Sequence, residues 1–497
     1  MASPPPTPPP KPPATRKEER FVDRGDPCEW RELYRPGGFH PVHLEDRFKD
    51  GRYRVIRKLG DGSYGTVWLA VDDHCEKPRY VALKIMMSKR SADAATEMEI
   101  NSYLISKAPH HPYSKHVLLP LDTFEHSGPN GTHRCFVYEP MGATVASMRS
   151  ELPQYQLKRP TATPTRYPKW MAKLILKHIL SGLAFLHSNG VTHGDVQPGN
   201  FLFSIRNIDT VKEEELKQPQ KSITKPLRRR DGKTDKWAPR YLMLKESLHT
   251  YTSLDPDLVI RISDFGAAFW IDKPPASTVT PVALRAPELI FNEPFDSSID
   301  IWAFGCQIYE ILTGTQLFAV CSMGDDPQED TDDDHLNELH DVLGPLPEAW
   351  FSKWLRAHLW FGPNGERLNP HLDEEEPEEE EAMDEDLSDY EDMRDLSEDE
   401  VDPSIDERNR DDDLSDGGLE DPTVLADAGP AGGVTPEDEI MATISESLEV
   451  QFEKNKPDDI DAEEAKIITS LIRRILQYDR SKRPTAEELL QHEWFQT

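Results

Sequence analysis

The chain has 497 residues, with 57 Lys and Arg against 91 Asp and Glu, a formal net charge of −34, and 37% hydrophobic residues. That charge balance excludes a general nucleic-acid binder, whose affinity comes from neutralising phosphates, and a protein docked on an anionic membrane surface. The length allows two or three domains, or one bilobal unit with insertions. Five scattered cysteines (Cys28, Cys75, Cys135, Cys306 and Cys321) form no CxxC pair, which excludes a disulfide scaffold and a Cys-based zinc ribbon. There is no apolar signal core at the N-terminus and no apolar run long enough to span a bilayer. The expectation is a soluble monomer, cytoplasmic and/or nuclear, with no membrane and no direct nucleic-acid partner.

Residues 1–33 form a proline-rich and then charged arm; eight of the first thirteen residues are Pro, a composition that favours solvated polyproline II. A lead-in segment covers 34–52. From Tyr53 the pattern turns globular. YRVIRKLG (53–60), TVWLAVD (66–72) and YVALKIM (80–86) predict strands, Ser91–Ile105 a helix, and HVLLPLDTF (116–124) and HRCFVYEP (133–140) two further strands. Beyond Met141 helices dominate: Met171, Leu174, Ile175, Ile179, Leu183 and Leu186 recur at three- and four-residue steps, with Asn189-Gly190 as the stop. Thr485 and Glu488 have the spacing of a capping box. The fold class is therefore α+β and bilobal, a β-rich lobe over 53–140 and a mostly helical lobe over 141–497.

Two stretches interrupt the second lobe. A polar, partly basic spacer covers about 207–250; its KPLRRR run, residues 225–230, has the composition of an import signal and equally of a solvated patch. An acidic insert covers about 366–440. Its centre, 373–421, holds 27 Asp and Glu against 3 Arg, a net −24, so most of the chain's charge belongs to it. Such a run repels itself and buries too little apolar surface to fold. Ser388, Ser397 and Ser415 lie inside it, in the acidic setting that acidophilic kinases select.

The chemistry sits in ordered short motifs. Gly60-Asp61-Gly62-Ser63-Tyr64-Gly65-Thr66-Val67 matches GxGxxGxV between two strands, where glycines let backbone amides approach phosphates; alone it is also an ordinary Gly-rich hairpin. Lys84 closes an apolar strand, a costly position for an ammonium unless it is paired. Glu99 in the following helix is the expected partner and Glu97 the competitor. In HGDVQPGN, Asp195 and Asn200 lie five apart, a carboxylate to accept a nucleophile's proton and an amide oxygen for a metal, or simply a polar loop. Asp264-Phe265-Gly266 follows an apolar strand and suits a Mg²⁺ ligand. Ala286-Pro287-Glu288 comes next, with Arg483 as a buried partner for Glu288, and Asp300-Ile301-Trp302-Ala303-Phe304-Gly305 opens a buried helix.

In this order the motifs resemble those of eukaryotic-type protein kinases. Residues 34–70, GPNGTHRCFVYEPMG (128–142), DFGAAFW and LIRRILQYDRSKRPTAEELLQHEWF are similar to the SR-protein-kinase family, as a divergent fungal-type member. The resemblance implies Ser/Thr phosphorylation of basic, Arg-Ser-rich proteins with ATP and Mg²⁺. It implies catalytic roles for Asp195, Lys84, Glu99 and Gln197. Nucleotide contacts would come from Leu59, Gly60, Asp61, Gly62, Ser63, Gly65, Val67, Ala82, Lys84, Tyr138, Glu139 and Met141, and metal ligation from Asn200 and Asp264. An acidic segment, 325–335, would steer basic substrates. Three positions depart from the family. Gly194 replaces the usual Arg, and Gln197 replaces a Lys, a change worth roughly 2–4 kcal/mol of transition-state stabilisation. Pro281 stands where a Thr normally touches the catalytic loop, with Thr280 one place early. Gln197 and Pro281 leave open a nucleotide-binding pseudokinase scaffold, and HGDVQPGN also resembles the catalytic loop of small-molecule phosphotransferases of the aminoglycoside or choline kinase type.

Overall fold

Alternating apolar residues from Tyr53 onward build a sheet buried on both faces. Strands β1 (Arg47–Phe48), β2 (Tyr53–Gly62), β3 (Gly65–Asp72), β4 (Tyr80–Met86), β5 (Asp122–Gly128) and β6 (Gly131–Tyr138) pair antiparallel in the order β1-β2-β3-β4-β6-β5. The period of two sends Val55, Trp68, Ala70, Val81, Leu83 and Val137 to one core. It sends Ile56, Leu69, Val71 and Tyr80 to another, and Ala82 and Tyr138 to a third. The computed structural model describes residues 18–368 and 445–496, apart from 23–24, 26, 77–78, 93, 157–163, 220–222, 321–327 and 364, together with Pro8 and Lys11. The rest of the proline-rich run, all but the edge of the acidic insert, and Ser388, Ser397 and Ser415 lie outside the described residues. Two units separate by their contacts, 1–358 with 444–497, and 359–443. All the elements that follow belong to the first.

The strand expected over 116–124 begins instead at Asp122 and runs to Gly128. Pro120 has no N–H to give a ladder, and Val117 makes only an isolated parallel bridge to Ile262. The expected helix appears as Ala95–Lys107. In the second lobe the apolar stripe forms the Lys169–Ser188 helix, with Met171, Ile175, Ile179, Leu183 and Leu186 buried and Leu174 half-buried. It ends at Asn189, followed by Gly190 at φ +74°. The capping box at Thr485 and Glu488 is formed in both directions.

Short strands β7 (Met141–Thr144), β8 (Val191–Thr192), β9 (Phe201–Ser204), β10 (Ile223–Pro226), β11 (Tyr241–Met243), β12 (Ile260–Ile262) and β13 (Phe269–Trp270) make three small sheets, β12-β9-β7, β13-β8 and β10-β11. The spacer connects β9 to β12. It packs Ile208, Leu216 and Leu248 against Ile56, Leu69 and Val71 of the large sheet. Arg229 of the KPLRRR run is buried and ion-paired to Asp231 and Asp235, each at 2.7 Å. That run is thus partly built into the fold.

Three imidazoles meet beside β5 and β6. The buried His40 ring lies 4.7 Å from His126 and 4.9 Å from His133. Burial, then repulsion from His133 and His126, pushes the His40 pKa down to about 3, with Asp46 opposing. A neutral His40 stabilises the fold fully above the unfolded value near 6.5, and that contribution is lost as pH falls toward 3. His40 alone is expected to cost about 2 kcal/mol between pH 7 and pH 5. Urea melts at the two pH values check this, and His40→Phe should flatten the difference.

Candidate active site

The catalytic loop is shaped by a buried carboxylate. Asp300 enters the Ser298–Thr313 helix 1% exposed. It accepts hydrogen bonds from the His193 N–H at 2.7 Å, the Gly194 N–H at 2.8 Å and His187 Nε2 at 2.9 Å. Gly194 sits at φ +78°, and a Cβ there would lie 2.7 Å from the Ala267 carbonyl oxygen. The missing Arg is therefore a backbone requirement, because no side chain fits this conformation without strain. Thr280 Oγ1 donates to the Gly194 carbonyl at 3.0 Å, so Thr280 makes the contact with the catalytic loop that was looked for at Pro281.

Asp195 is held from both sides. Gln197 Nε2 donates to its Oδ1 at 2.7 Å, and Asn200 Nδ2 donates to its Oδ2 at 2.8 Å. With its amide hydrogens on Asp195, Asn200 keeps Oδ1 as its metal-ligating atom. Ser263 ties the next strand to this loop, its N–H and its hydroxyl each donating to the Asn200 carbonyl at 2.9 Å. Ser263 directly precedes Asp264, which adopts φ +66°. Phe265 is buried edge-on against His193, ring centroids 5.5 Å apart.

Lys84 on β4 donates to Asp264 Oδ1 at 2.7 Å. Burial works against the Lys84 ammonium, but Asp264 and then Glu97 outweigh it and raise its pKa. In turn Lys84 is the main cause holding the Asp264 carboxyl below its ordinary value. Thus Lys84 contacts Asp264, Asn200 contacts Asp195, and Ser263, next to Asp264 in the chain and bonded to the Asn200 carbonyl, joins the two pairs.

The Glu99 expectation is corrected. Glu99 is exposed, whereas Glu97 is buried, 4% exposed, and turned to Lys84. Two helical residues differ by about 200° in direction, so only one of them faces β4. Glu97 Oε1 has no hydrogen-bond partner, and burial raises its pKa against the pull of Lys84. Glu97→Gln is expected to lower kcat/KM about tenfold, some 1.4 kcal/mol of barrier, while Glu99→Gln stays within about twofold. Steady-state phosphotransfer assays on both variants check this.

Beneath the glycine-rich turn, Leu59, Val67, Ala82, Tyr138 and Met141 share one apolar cluster with Leu202. Leu202 was not anticipated. Its signal is alternation in FLFS, where Phe201 and Phe203 are fully buried and Leu202 faces the other way. Glu139 is exposed, and its side chain pairs with Arg261 at 2.5 Å. In the turn, Gly62 pairs with Gly65 around Ser63-Tyr64. A Cβ at Gly60 or Gly62 would meet nothing within 4 Å, leaving room for phosphates, whereas one at Gly65 would strike the Ile85 carbonyl at 2.6 Å. Asp61 turns back to Lys58 at 3.2 Å.

The donor set fits a nucleotide-borne magnesium ion: hard oxygens from Asp264 and Asn200 beside an ammonium. Among the described residues no group of three or more His, Cys, Asp or Glu is placed to hold a metal by itself. Behind the site, Arg483 and Glu288 form a bidentate pair at 2.6 and 2.7 Å.

This two-lobed fold and this site define a protein kinase. The family model for protein tyrosine and serine/threonine kinases matches residues 53–325, and the chain belongs to that family. Its relatives include SRPK-type enzymes. It is 32% identical to the serine/threonine-protein kinase SRPK of Physarum polycephalum over 349 residues, 68% of this chain and 77% of the relative. It is 26% identical to the protein kinase dsk1 of Schizosaccharomyces pombe, over 68% of this chain and 74% of the relative. It is 28% identical to the dual specificity protein kinase CLK1 of Mus musculus, over 61% and 51%. A solved kinase-domain crystal structure aligns at TM-score 0.51 with 19% identity, covering 92% of this chain and 98% of that one.

Proposed function

We propose that the chain transfers the γ-phosphoryl group of ATP to Ser or Thr hydroxyls of basic, Arg-Ser-rich proteins. The observation that carries this is the Asp195 carboxylate, oriented by Gln197 and Asn200 and linked through Asn200 and Ser263 to Asp264 and Lys84. ATP supplies the phosphoryl group and Mg²⁺ offsets charge on its phosphates, with Asp264 and Asn200 Oδ1 as the residues that would hold the ion. Asp195 orients the substrate hydroxyl and takes its proton as the new O–P bond forms; two neutral amides on its oxygens leave lone pairs free for that proton. Lys84, supported by Glu97, grips the α/β-phosphates. Gln197 preserves a donor to Asp195 but brings no positive charge to the transferring group. Thr280 shapes the acceptor side through Gly194.

The Arg-Ser preference is supported by the SRPK-type relatives and by the excess of acid. Within the acidic segment, however, not every carboxylate is available. Asp333 is buried, accepts from Trp354 Nε1 at 2.6 Å and pairs with Arg356 at 2.9 Å; Asp330 pairs with Arg356 at 2.6 Å. Asp332 is half-buried and Asp334 exposed. Residues 325–327 lie outside the described residues. We place the protein in the cytoplasm or nucleus; among the described residues no helix is long and apolar enough to cross a membrane.

The test is labelled ATP with Mg²⁺ and an Arg-Ser peptide, beside a Glu-Ser peptide and the Asp264→Ala variant. Transfer to the Arg-Ser peptide alone, abolished in the variant, is expected. ATP binding without transfer would instead show a scaffold, and transfer only to small amines or alcohols a small-molecule phosphotransferase.

A further inference from the structure

The strand that leads into the glycine-rich turn has an edge that its own sheet does not cover. β1 pairs only with Tyr53 and Arg54 of β2. The residues just before β1 carry the pairing one place further, the Glu45 N–H donating to the Val55 carbonyl at 2.8 Å and the Val55 N–H to the Asp46 carbonyl at 3.0 Å, and past Val55 the edge is taken by the spacer. The Gln218 N–H donates to the Ile56 carbonyl at 3.0 Å, the Lys58 N–H donates to Gln218 Oε1 at 2.8 Å, and the Glu246 N–H donates to the Lys58 carbonyl at 2.9 Å. Gln218 Nε2 also donates to the Leu244 carbonyl at 2.7 Å, which bridges the two arms of the spacer.

Lys58 stands at the centre of this contact with its side chain fully buried. Its ammonium donates to Glu29 of the N-terminal arm and to the Met243 carbonyl at 3.0 Å, and it lies 3.2 Å from Asp61 inside the turn. Tyr34 donates to the other oxygen of Glu29. Burial alone would discharge this lysine; Glu29 and Asp61 more than offset that and keep it cationic. A buried ammonium with three oxygen partners from three segments costs more to break than to keep. The spacer is rooted beside the active site: the Ser204 N–H donates to the Val259 carbonyl at 2.8 Å, and β9, which follows Asn200, pairs with β7. A segment anchored in the helical lobe thus reaches across to fix the strand that carries the turn.

We propose that Lys58 is a positioning residue for the nucleotide, tying the glycine-rich turn to the arm at Glu29 and to the spacer at Gln218, Met243 and Glu246. The inference rests on the reading that this turn covers ATP. A turn held in place before the ligand arrives saves the ordering cost of binding. Loosening it lowers affinity for ATP and leaves the saturated rate almost unchanged, because Lys58 touches neither the base nor the acceptor.

The test uses the full-length chain with Lys58→Met and, separately, Gln218→Met, which removes the two side-chain bonds of Gln218, to the Lys58 N–H and the Leu244 carbonyl, while leaving the buried charges paired. Each is measured for KM of ATP, KM of peptide, kcat and melting temperature. KM for ATP is expected to rise about tenfold in Lys58→Met, the change one lost charged hydrogen bond brings, and about fivefold in Gln218→Met, the change one lost neutral hydrogen bond brings, with kcat and peptide KM within about twofold. Gln218→Met carries the comparison if Lys58→Met does not fold. Unchanged KM for ATP in the folded variants, or an equal fall in kcat tracking a lower melting temperature, overturns the inference while wild-type turnover leaves the kinase reading intact. Failure of the wild-type protein to bind ATP overturns both.

Discussion

Asp195→Asn is expected to lower kcat about 10²–10⁴-fold, the range that proton transfer by a positioned side chain supplies. The substitution keeps the shape of the residue and removes its ability to take the hydroxyl proton. One neighbouring amide, Gln197 at 2.7 Å or Asn200 at 2.8 Å, must then face a nitrogen donor or turn away. KM for ATP should change little, because the proposed nucleotide contacts are Lys84, the glycine-rich turn and the apolar cluster around Ala82. Steady-state kinetics with saturating ATP, beside a thermal melt to show an intact fold, make the comparison. A kcat within fivefold of wild type would remove Asp195 from the chemistry and leave the hydroxyl proton to water.

The second large effect concerns the fold. Arg483 is expected to cost about 3–5 kcal/mol when replaced by Met, because the substitution strands a buried carboxylate. The Arg483 and Glu288 side chains are 0% and 2% exposed. Arg483 Nε also donates to the Gln477 carbonyl at 2.9 Å, and the guanidinium lies 4.9 Å from the Trp302 ring centroid. Glu288 begins a short helix just after the segment that carries Thr280, so its loss should also disturb the contact with Gly194. Urea unfolding of Arg483→Met and of the Glu288→Leu/Arg483→Met double variant separates the terms. The double variant should be the more stable of the two, since it leaves no charge unpaired. Equal stabilities would mean that Glu288 finds solvent or another partner.

The catalytic motifs were legible because each is local. Phosphate approach requires glycine near a turn, and a proton acceptor and an amide ligand fit on one loop; the Arg483–Glu288 pair spans 195 residues and was legible only from the order of the two motifs that carry it. The long helix and the capping box were legible for the same reason, since period and cap are written within one turn of chain. Less was legible where direction mattered. Glu97 and Glu99 are equally good candidates by composition, and the phase of the Ala95–Lys107 helix relative to β4 selects between them.

The strand β2 shows the same limit. Register shifts between Val55 and Arg57 and between Lys58 and Gly60 break the alternation, so no period assigns Lys58 to the interior. The spacer reads as polar chain, and its few apolar residues, Ile208, Leu216 and Leu248, acquire meaning only against the sheet they cover. The departure at Gly194 reads in the sequence only as a missing Arg; at φ +78° the nearby Ala267 carbonyl leaves no unstrained place for a side chain.

By itself the amino-acid order determined the class of protein and the two-lobed plan, and it named most of the side chains proposed to take part, because these depend on residue types at short separations. The tertiary structure alone decided which glutamate supports Lys84, which threonine touches the catalytic loop and what holds the glycine-rich turn. Those outcomes depend on contacts between segments as much as 188 residues apart, such as Lys58 and Glu246, and no local pattern encodes the distance between them.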